Sequence, residues 1–242
     1  MRLLYEGKAK RMWETGDAGT LRMEFKNDAT AFNGEKRASF EDKGRLNNAI
    51  STLIYEYLER AGVPTHFVRV IDATNVEVRR VEILMVEVIV RNVAAGSFCK
   101  RTGMAEGVRF GVPVVEFSYK SDELGDPLIN DDYIREMGLA TVEDLVHLRV
   151  SALRVNEILT GFFAEVGLLL VDFKLEFGRV VGEGGRIVLA DEISPDGCRL
   201  WDAVTGEKMD KDRFRRDLGG VMEAYEEVLR RIKERLAGGG EK

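Results

Sequence analysis

The sequence predicts an α+β fold in two lobes, a strand-rich N-terminal lobe over residues 1–85 and a larger α+β lobe over 86–242. Three observations predict it. Short segments of alternating polarity fill the first part of the chain. One stripe of helical period interrupts that first part, and two longer ones mark the second. Between those stripes lies a glycine-turned, carboxylate-rich stretch from Leu169 to Asp202. No internal repeat interrupts this order, and runs of strands followed by mixed elements suit an α+β arrangement. Clefts between lobes are the usual place for small-molecule sites.

Taken in order, Gly16-Asp17-Ala18-Gly19 forms a turn, and Leu21, Met23 and Phe25 alternate with polar residues behind it. Leu3 to Trp13 is the expected partner strand. Leu46, Ile50, Leu53, Tyr57 and Leu58 share one helical face, which Gly62 and Pro64 terminate. Phe67–Val70 and Glu77–Arg80 read as short strands, and Val81–Val90 as a longer apolar strand holding Glu82 and Glu87. Leu145, Leu148, Ala152, Val155, Leu159 and Phe162 define an amphipathic helix. A last helix is expected from near Asp210, with Phe214, Leu218, Val221, Tyr225, Leu229, Ile232 and Leu236 as its stripe. Gly219-Gly220 weakens it by about 1 kcal/mol per glycine, and Gly238-Gly239-Gly240 frays its end.

Composition removes several functions. A net charge of -6 argues against a mainly nucleic-acid-binding role. No apolar run approaches the roughly 20 residues that span a bilayer, and Met1 to Lys8 lacks an apolar signal core. The cytoplasm is the expected compartment, with no membrane or nucleic-acid partner. Cys99 and Cys198 fit no metal spacing and are expected as thiols rather than a disulfide. With only His66 and His147, histidine-cluster zinc sites drop out and Ser-His or Cys-His nucleophile schemes weaken.

The carboxylates carry more. Asp172, Lys174 and Glu176 are spaced by two and face one side of a strand. With Glu183 and Gly184 as central residues of the glycine-rich turn, outward counting sets Glu176 opposite Asp191. Facing like charges repel, so a cation is expected between them, and magnesium suits hard oxygen ligands. Lys8 and Lys10 in Tyr5-Glu6-Gly7-Lys8-Ala9-Lys10 read either as a phosphate clamp beside a permissive glycine or as ordinary surface lysines. The polar loop from Lys26 to Gly34 is either an Asx-capped turn or a substrate loop. Arg91 to Ser97 is either a plain strand-to-helix turn or a seat for an anion. Tyr119 to Pro127, which includes Lys120, reads by pattern as solvated surface. Arg199 either swings toward the metal face or pairs with Asp202 or Asp196. The phosphate-binding loop GxxxxGK[ST] and the protein-kinase signatures are absent.

In this order, YEGKAK at 5–10, DATAFN at 28–33, VRNVAAGS at 90–97, DPLIND at 126–131, LVDFKLEFG at 170–178, DEISPDGCRLWD at 191–202 and MDKDRFR at 209–215 resemble the SAICAR synthetase family essentially end to end. Those enzymes are phosphoribosylaminoimidazole-succinocarboxamide synthases. LVDFKLEFG followed by DEISPDGCRLWD is the specific part. Glu6 and Cys198 depart from some members, which carry arginine and serine there.

The resemblance implies a SAICAR-synthetase-like fold related to ATP-grasp enzymes and kinases, with ATP, L-aspartate and carboxyaminoimidazole ribonucleotide as substrates of a purine-pathway ligase. It implies that Lys8, Ala9 and Lys10 face the nucleotide phosphates, and that the strand Ile83–Glu87, including Leu84, borders the adenine. Glu176 and Asp191 match the magnesium carboxylates, and Lys174 a lysine near the reacting carboxylate. Arg91, Ser97 and Arg199 match ribonucleotide contacts, and Asp172 a ribose contact. Lys120 on the nucleotide side and Asp28 and Asn33 on the substrate side match further active-site loops. A homodimer is also implied. The rival readings are a small-molecule kinase of similar architecture and a nucleotide-binding regulator without catalysis.

Overall fold

A computed structural model describes residues 2–31 and 34–238. Its elements are β1 (Leu3–Glu6), β2 (Lys10–Glu14), β3 (Thr20–Phe25), β4 (Asp28–Ala31), β5 (Lys36–Ser39), α1 (Lys43–Arg60), β6 (Phe67–Val70), β7 (Asn75–Arg79), β8 (Val81–Val93), α2 (Ser97–Thr102), β9 (Arg109–Tyr119), β10 (Leu128–Ile129), α3 (Asp131–Glu136), α4 (Val142–Glu165), β11 (Leu168–Val180), β12 (Ile187–Ala190), β13 (Cys198–Asp202), α5 (Asp212–Arg215) and α6 (Val221–Gly238).

Every strand pair described is antiparallel, so alternation fixes which residues face inward. One sheet runs β1-β2-β3-β7-β6. A second runs β10-β9-β8-β11-β12, with β13 also on β11. The chain crosses from one sheet to the other at Arg80, between β7 and β8, and residue 85 lies inside β8. A single apolar cluster joins Met23 and Val76 of the first sheet, Ile50 of α1, Val88 and Phe173 of the second sheet, and Leu159 of α4.

Leu3 to Trp13 is not one strand. Gly7 N–H donates to Lys10 O at 2.9 Å and folds β1 back on β2, so only β2 pairs with β3. The polar loop expected from Lys26 is in part a strand, because β4 pairs with β5 from Asp28↔Ser39 to Ala31↔Lys36. The amphipathic helix forms as α4 with the expected residues buried, and Thr141 and Asp144 close a capping box at its start. The final helix is broken in two. Asp217, Gly219 and Gly220 all adopt positive φ, at 56°, 69° and 58°, which no continuous α-helix tolerates. Leu218 consequently leaves the apolar stripe and is half exposed. Cys99 and Cys198 are free thiols. Among the described residues no helix is long and apolar enough to cross a membrane.

Two features support testable statements about stability. A Cβ added at Gly44, in the first turn of α1, would stand 2.5 Å from the carbonyl oxygen of Phe25. Alanine's better helix propensity returns about 1 kcal/mol, but overpacking against backbone costs about 3 kcal/mol, since a carbonyl in β3 cannot rotate away. Gly44→Ala is expected to lower the melting temperature by roughly 4–8 °C, from a net loss of about 2 kcal/mol at this chain length. An unchanged or higher value in a thermal melt refutes the packing argument.

Asp202 ends β13, accepts from the amides of Thr205 at 2.9 Å and Val204 at 3.0 Å, and pairs with Arg231 of α6 at 2.9 Å. The Thr205 amide, the Arg231 guanidinium and the Val204 amide hold its carboxyl down at about 2. A lowered carboxyl stabilises the fold fully above its ordinary value and loses that contribution as pH falls from about 4 to about 2. Asp202→Asn should therefore cost about 1–2 kcal/mol near neutrality. Urea midpoints of the two proteins should converge as pH falls through that window; a constant gap contradicts the linkage.

Candidate active site

Strand β11 sets the site. Phe173, Leu175 and Phe177 point into the core, which sends Lys174 and Glu176 to the opposite face. Both line a cavity of about 420 Å³ at the junction of the two sheets. The β1–β2 turn supplies Gly7, Lys8, Ala9 and Lys10 to this cavity; β8 supplies Ile83 and Glu87, and the segment after β9 supplies Lys120 and Asp122. His66, Asp191, Glu192, Asp196, Gly197 and Lys211 complete the opposite wall.

The charges are closely matched. Lys174 Nζ donates to Glu87 Oε1 at 2.7 Å, contacts Glu176, and lies 3.8 Å from Asp191. Lys120 reaches Glu176 at 2.8 Å. Lys10 pairs with Asp191 and lies 3.3 Å from Glu192. Burial works against the charges of Lys10, Glu87, Lys120, Lys174 and Asp191. For Asp191, Lys10 and Lys174 outweigh it and hold the carboxyl well below the usual range. For Lys10, Asp191 and Glu192 prevail and raise the ammonium above its ordinary value. Glu87 is different: burial dominates its lysine partner, and its carboxyl is raised.

The expected register is off by one. Glu176 stands opposite Ala190, because the turn spans five residues, Val181 to Gly185, and Val180 N–H donates to Arg186 O. Asp191 is the first residue past β12, with φ at 64°. Two buried groups hold that left-handed turn. Tyr55 Oη donates to Ala190 O at 2.7 Å, and His66 Nε2 donates to Asp191 O at 3.1 Å. Burial pushes the His66 imidazole down to about 4, so it is neutral near pH 7 and donates only from Nε2. The turned backbone brings Asp191 to Lys10 and within 3.8 Å of Lys174, the lysine that also contacts Glu176.

A second cluster adjoins the cavity along β11. Arg91 Nη1 donates to Asp172 at 2.8 Å and Nη2 to Ser97 Oγ at 3.3 Å. Arg199 pairs with Asp172 and Asp212, both at 3.0 Å, and not with Asp202 or Asp196. Gly96, at φ 55°, presses against this guanidinium, and any Cβ there would collide with it.

Other expected residues lie elsewhere. Lys8 sits in the turn and pairs with Asp122 at 2.7 Å, so it and Lys10 are not a pair on one strand face. Leu84 is buried in the core; around it three residues of β8, Leu84 to Val86, stand against Phe177 alone in β11. Asp28 is bound to Lys26 at 2.9 Å and does not line the cavity. Asn33 lies outside the described residues. Glu87, Glu192 and Lys211 also line the cavity, and none of the three was expected as an individual site residue. Asp196, considered only as a partner for Arg199, is engaged by Lys43 and by Tyr225 Oη at 2.7 Å. These groups come from separate elements, and no local spacing marks them.

Among the described residues, no group of three or more His, Cys, Asp or Glu side chains is arranged to hold a metal. Two carboxylates suffice for magnesium, which keeps several waters and takes phosphate oxygens as ligands. Glu176 and Asp191 are hard oxygen donors of that kind. Glu192 Oε2 is buried beside them without a hydrogen-bond partner, a wall unusually ready for positive charge.

The chain is similar to known proteins over nearly its whole length. The family description for SAICAR synthetase matches residues 3–232. Phosphoribosylaminoimidazole-succinocarboxamide synthase of Akkermansia muciniphila is 61% identical over 235 residues, covering 97% of this chain and 100% of that protein. The crystal structure of the Ehrlichia chaffeensis enzyme of the same name superposes with a TM-score of 0.94 at 42% identity, covering 96% of this chain and 98% of that one. A SAICAR synthetase solved in complex with ADP gives 0.91 at 48% identity, over 94% of this chain and 96% of that one. The chain belongs to the SAICAR synthetase family and is an enzyme of the ligase type.

Proposed function

We propose that the chain joins L-aspartate to the carboxylate of carboxyaminoimidazole ribonucleotide in purine biosynthesis, converting ATP to ADP and phosphate. The observation that carries this reading is the adjacency of two charge clusters on one strand. Glu176 and Lys174 face a nucleotide-sized cavity, and two residues earlier Asp172 ties down Arg91 and Arg199. The related structure holding ADP supports the nucleotide assignment. In this reading the five-stranded sheet belongs to a nucleotide-binding lobe, residues 1–85, and the remainder to a second lobe, an arrangement shared with ATP-grasp enzymes and kinases. The protein acts as a cytoplasmic homodimer on small molecules alone.

The residues divide the work by charge. A carboxylate resists attack by an amine, so the ATP γ-phosphoryl group passes to it, forming an acyl phosphate. The aspartate amine then bonds to that carbon, phosphate departs with the C–O electron pair, and the amine loses its proton. Alignment and charge neutralisation are the protein's share. Lys8, Ala9 and Lys10 meet the nucleotide phosphates, while the β8 backbone around Leu84 borders adenine with Lys120 beside it. Lys174 balances charge on the transferred group. Arg91, Ser97 and Arg199 hold the ribonucleotide phosphate, Asp172 its ribose, and Asp28 and Asn33 flank the substrate. Mg2+ would be held by Glu176 and Asp191 and supplies further charge neutralisation when bound.

ADP release that requires both aspartate and the ribonucleotide is the direct test; a stable phosphorylated product without aspartate would make the protein a kinase. Asp191→Asn should cut turnover by on the order of 100-fold or more in magnesium buffer, with the fold intact by circular dichroism. Near-normal turnover removes Asp191 from the metal site. Arg199→Ala should raise the ribonucleotide KM far more than the ATP KM, and equal changes in both would misplace this residue.

A further inference from the structure

Among the described residues, Lys211 is the cavity lysine without a close partner. It makes no hydrogen bond through Nζ, and its nearest carboxylate oxygen, on Asp196, is 4.0 Å away. Lys8, Lys10, Lys120 and Lys174 each meet a carboxylate directly. Asp196 is already engaged by others: Lys43 contacts one of its oxygens and Tyr225 Oη donates to the other at 2.7 Å. The Lys211 side chain is nonetheless only 12% exposed. A cation so enclosed and so weakly paired is costly unless an anion joins it. Burial, with Lys43 and Arg215 nearby, pushes its ammonium below the ordinary value, and Asp196 only partly offsets this.

The position of Lys211 is fixed rather than incidental. Its amide donates to Pro195 O at 3.1 Å, just before α5. The same turn holds the other lysine of interest, since the Lys174 amide donates to Gly197 O at 3.1 Å. Lys211 and Lys174 are thus anchored to one short loop, on the side of the cavity where the carboxylate would be activated.

We propose that Lys211 binds a carboxylate of the amino-acid substrate, a small dicarboxylate whose amine must reach the reacting centre. The inference rests on the ligase reading above and names a substrate contact that reading leaves open. The phosphates have their own cations in the β1–β2 turn and in the Arg91–Arg199 cluster, which leaves Lys211 for the remaining anion.

Steady-state kinetics of Lys211→Met tests this. The KM for L-aspartate should rise by roughly 10- to 100-fold, as loss of a charge-assisted hydrogen bond commonly gives. The KM values for ATP and the ribonucleotide should stay unchanged. Succinate, used as a non-reacting dicarboxylate, should weaken as an inhibitor by the same factor, and Lys211→Arg should recover part of the loss. An unchanged aspartate KM, or an equal rise for all three substrates, overturns the assignment. If Lys211→Met does not fold, Lys211→Gln keeps the polarity and carries the same comparison. Wild-type protein that releases no ADP with aspartate defeats the ligase reading itself; aspartate-dependent release with an unaltered variant defeats only this inference.

Discussion

Strand β11 has to carry charge on a face largely closed to bulk water. It is hydrogen-bonded to β8 along one edge and to β13 and then β12 along the other. Its apolar residues are fixed in the core, so its alternate residues have no choice of direction. Glu176 and Asp172 are each buried, and an isolated carboxylate there would be several kcal/mol too costly to keep ionised. Each is therefore matched to cations: Lys120 from beyond β9 and Lys174 of β11 itself for Glu176, Arg91 of β8 and Arg199 of β13 for Asp172. The fold brings β8, the segment after β9 and β13 to one place, where their cations meet the carboxylates of β11.

Such a lattice is more useful for binding than for stability. A buried ion pair can contribute little over an apolar pair of the same shape, because desolvation cancels much of the attraction. Its lysines can, however, exchange a carboxylate oxygen for a phosphate oxygen without losing their compensation. The Asp196 group differs. Lys43 of α1 and Tyr225 of α6 both bind it, and it ties two helices to the cavity wall.

Much of this was legible in the chain. Period-two alternation located β3, and the helical stripe located α4, because each element buries one face and shows the other to water. The i, i+2 spacing placed Lys174 and Glu176 together correctly, since no bulge interrupts β11 between them. Turn chemistry was harder to read. Three glycines in five turn residues permit several loop lengths, and nothing local distinguishes a four-residue count from a five-residue one. The same freedom hid the break at Gly219-Gly220, where the sequence shows weakened helix and the backbone shows left-handed residues. Long-range partners such as Glu87 with Lys174 depend on strand pairing across 87 positions, which composition and periodicity do not encode.

The shifted register explains why an acidic residue at the end of β12 still belongs to the site. On a regular strand, moving Asp191 by one position would turn its side chain to the other face of the sheet. The strand instead stops at Ala190, and aspartate is among the few residues that adopt the left-handed conformation at modest cost. Tyr55 and His66, both buried, hold the two carbonyls on either side of that turn and offset its strain. The carboxylate is aimed by its backbone rather than by strand pairing. Its place beside Lys10 and Lys174 therefore depends on residues far from it in sequence, and a change in Tyr55 or His66 would act on the site through Asp191.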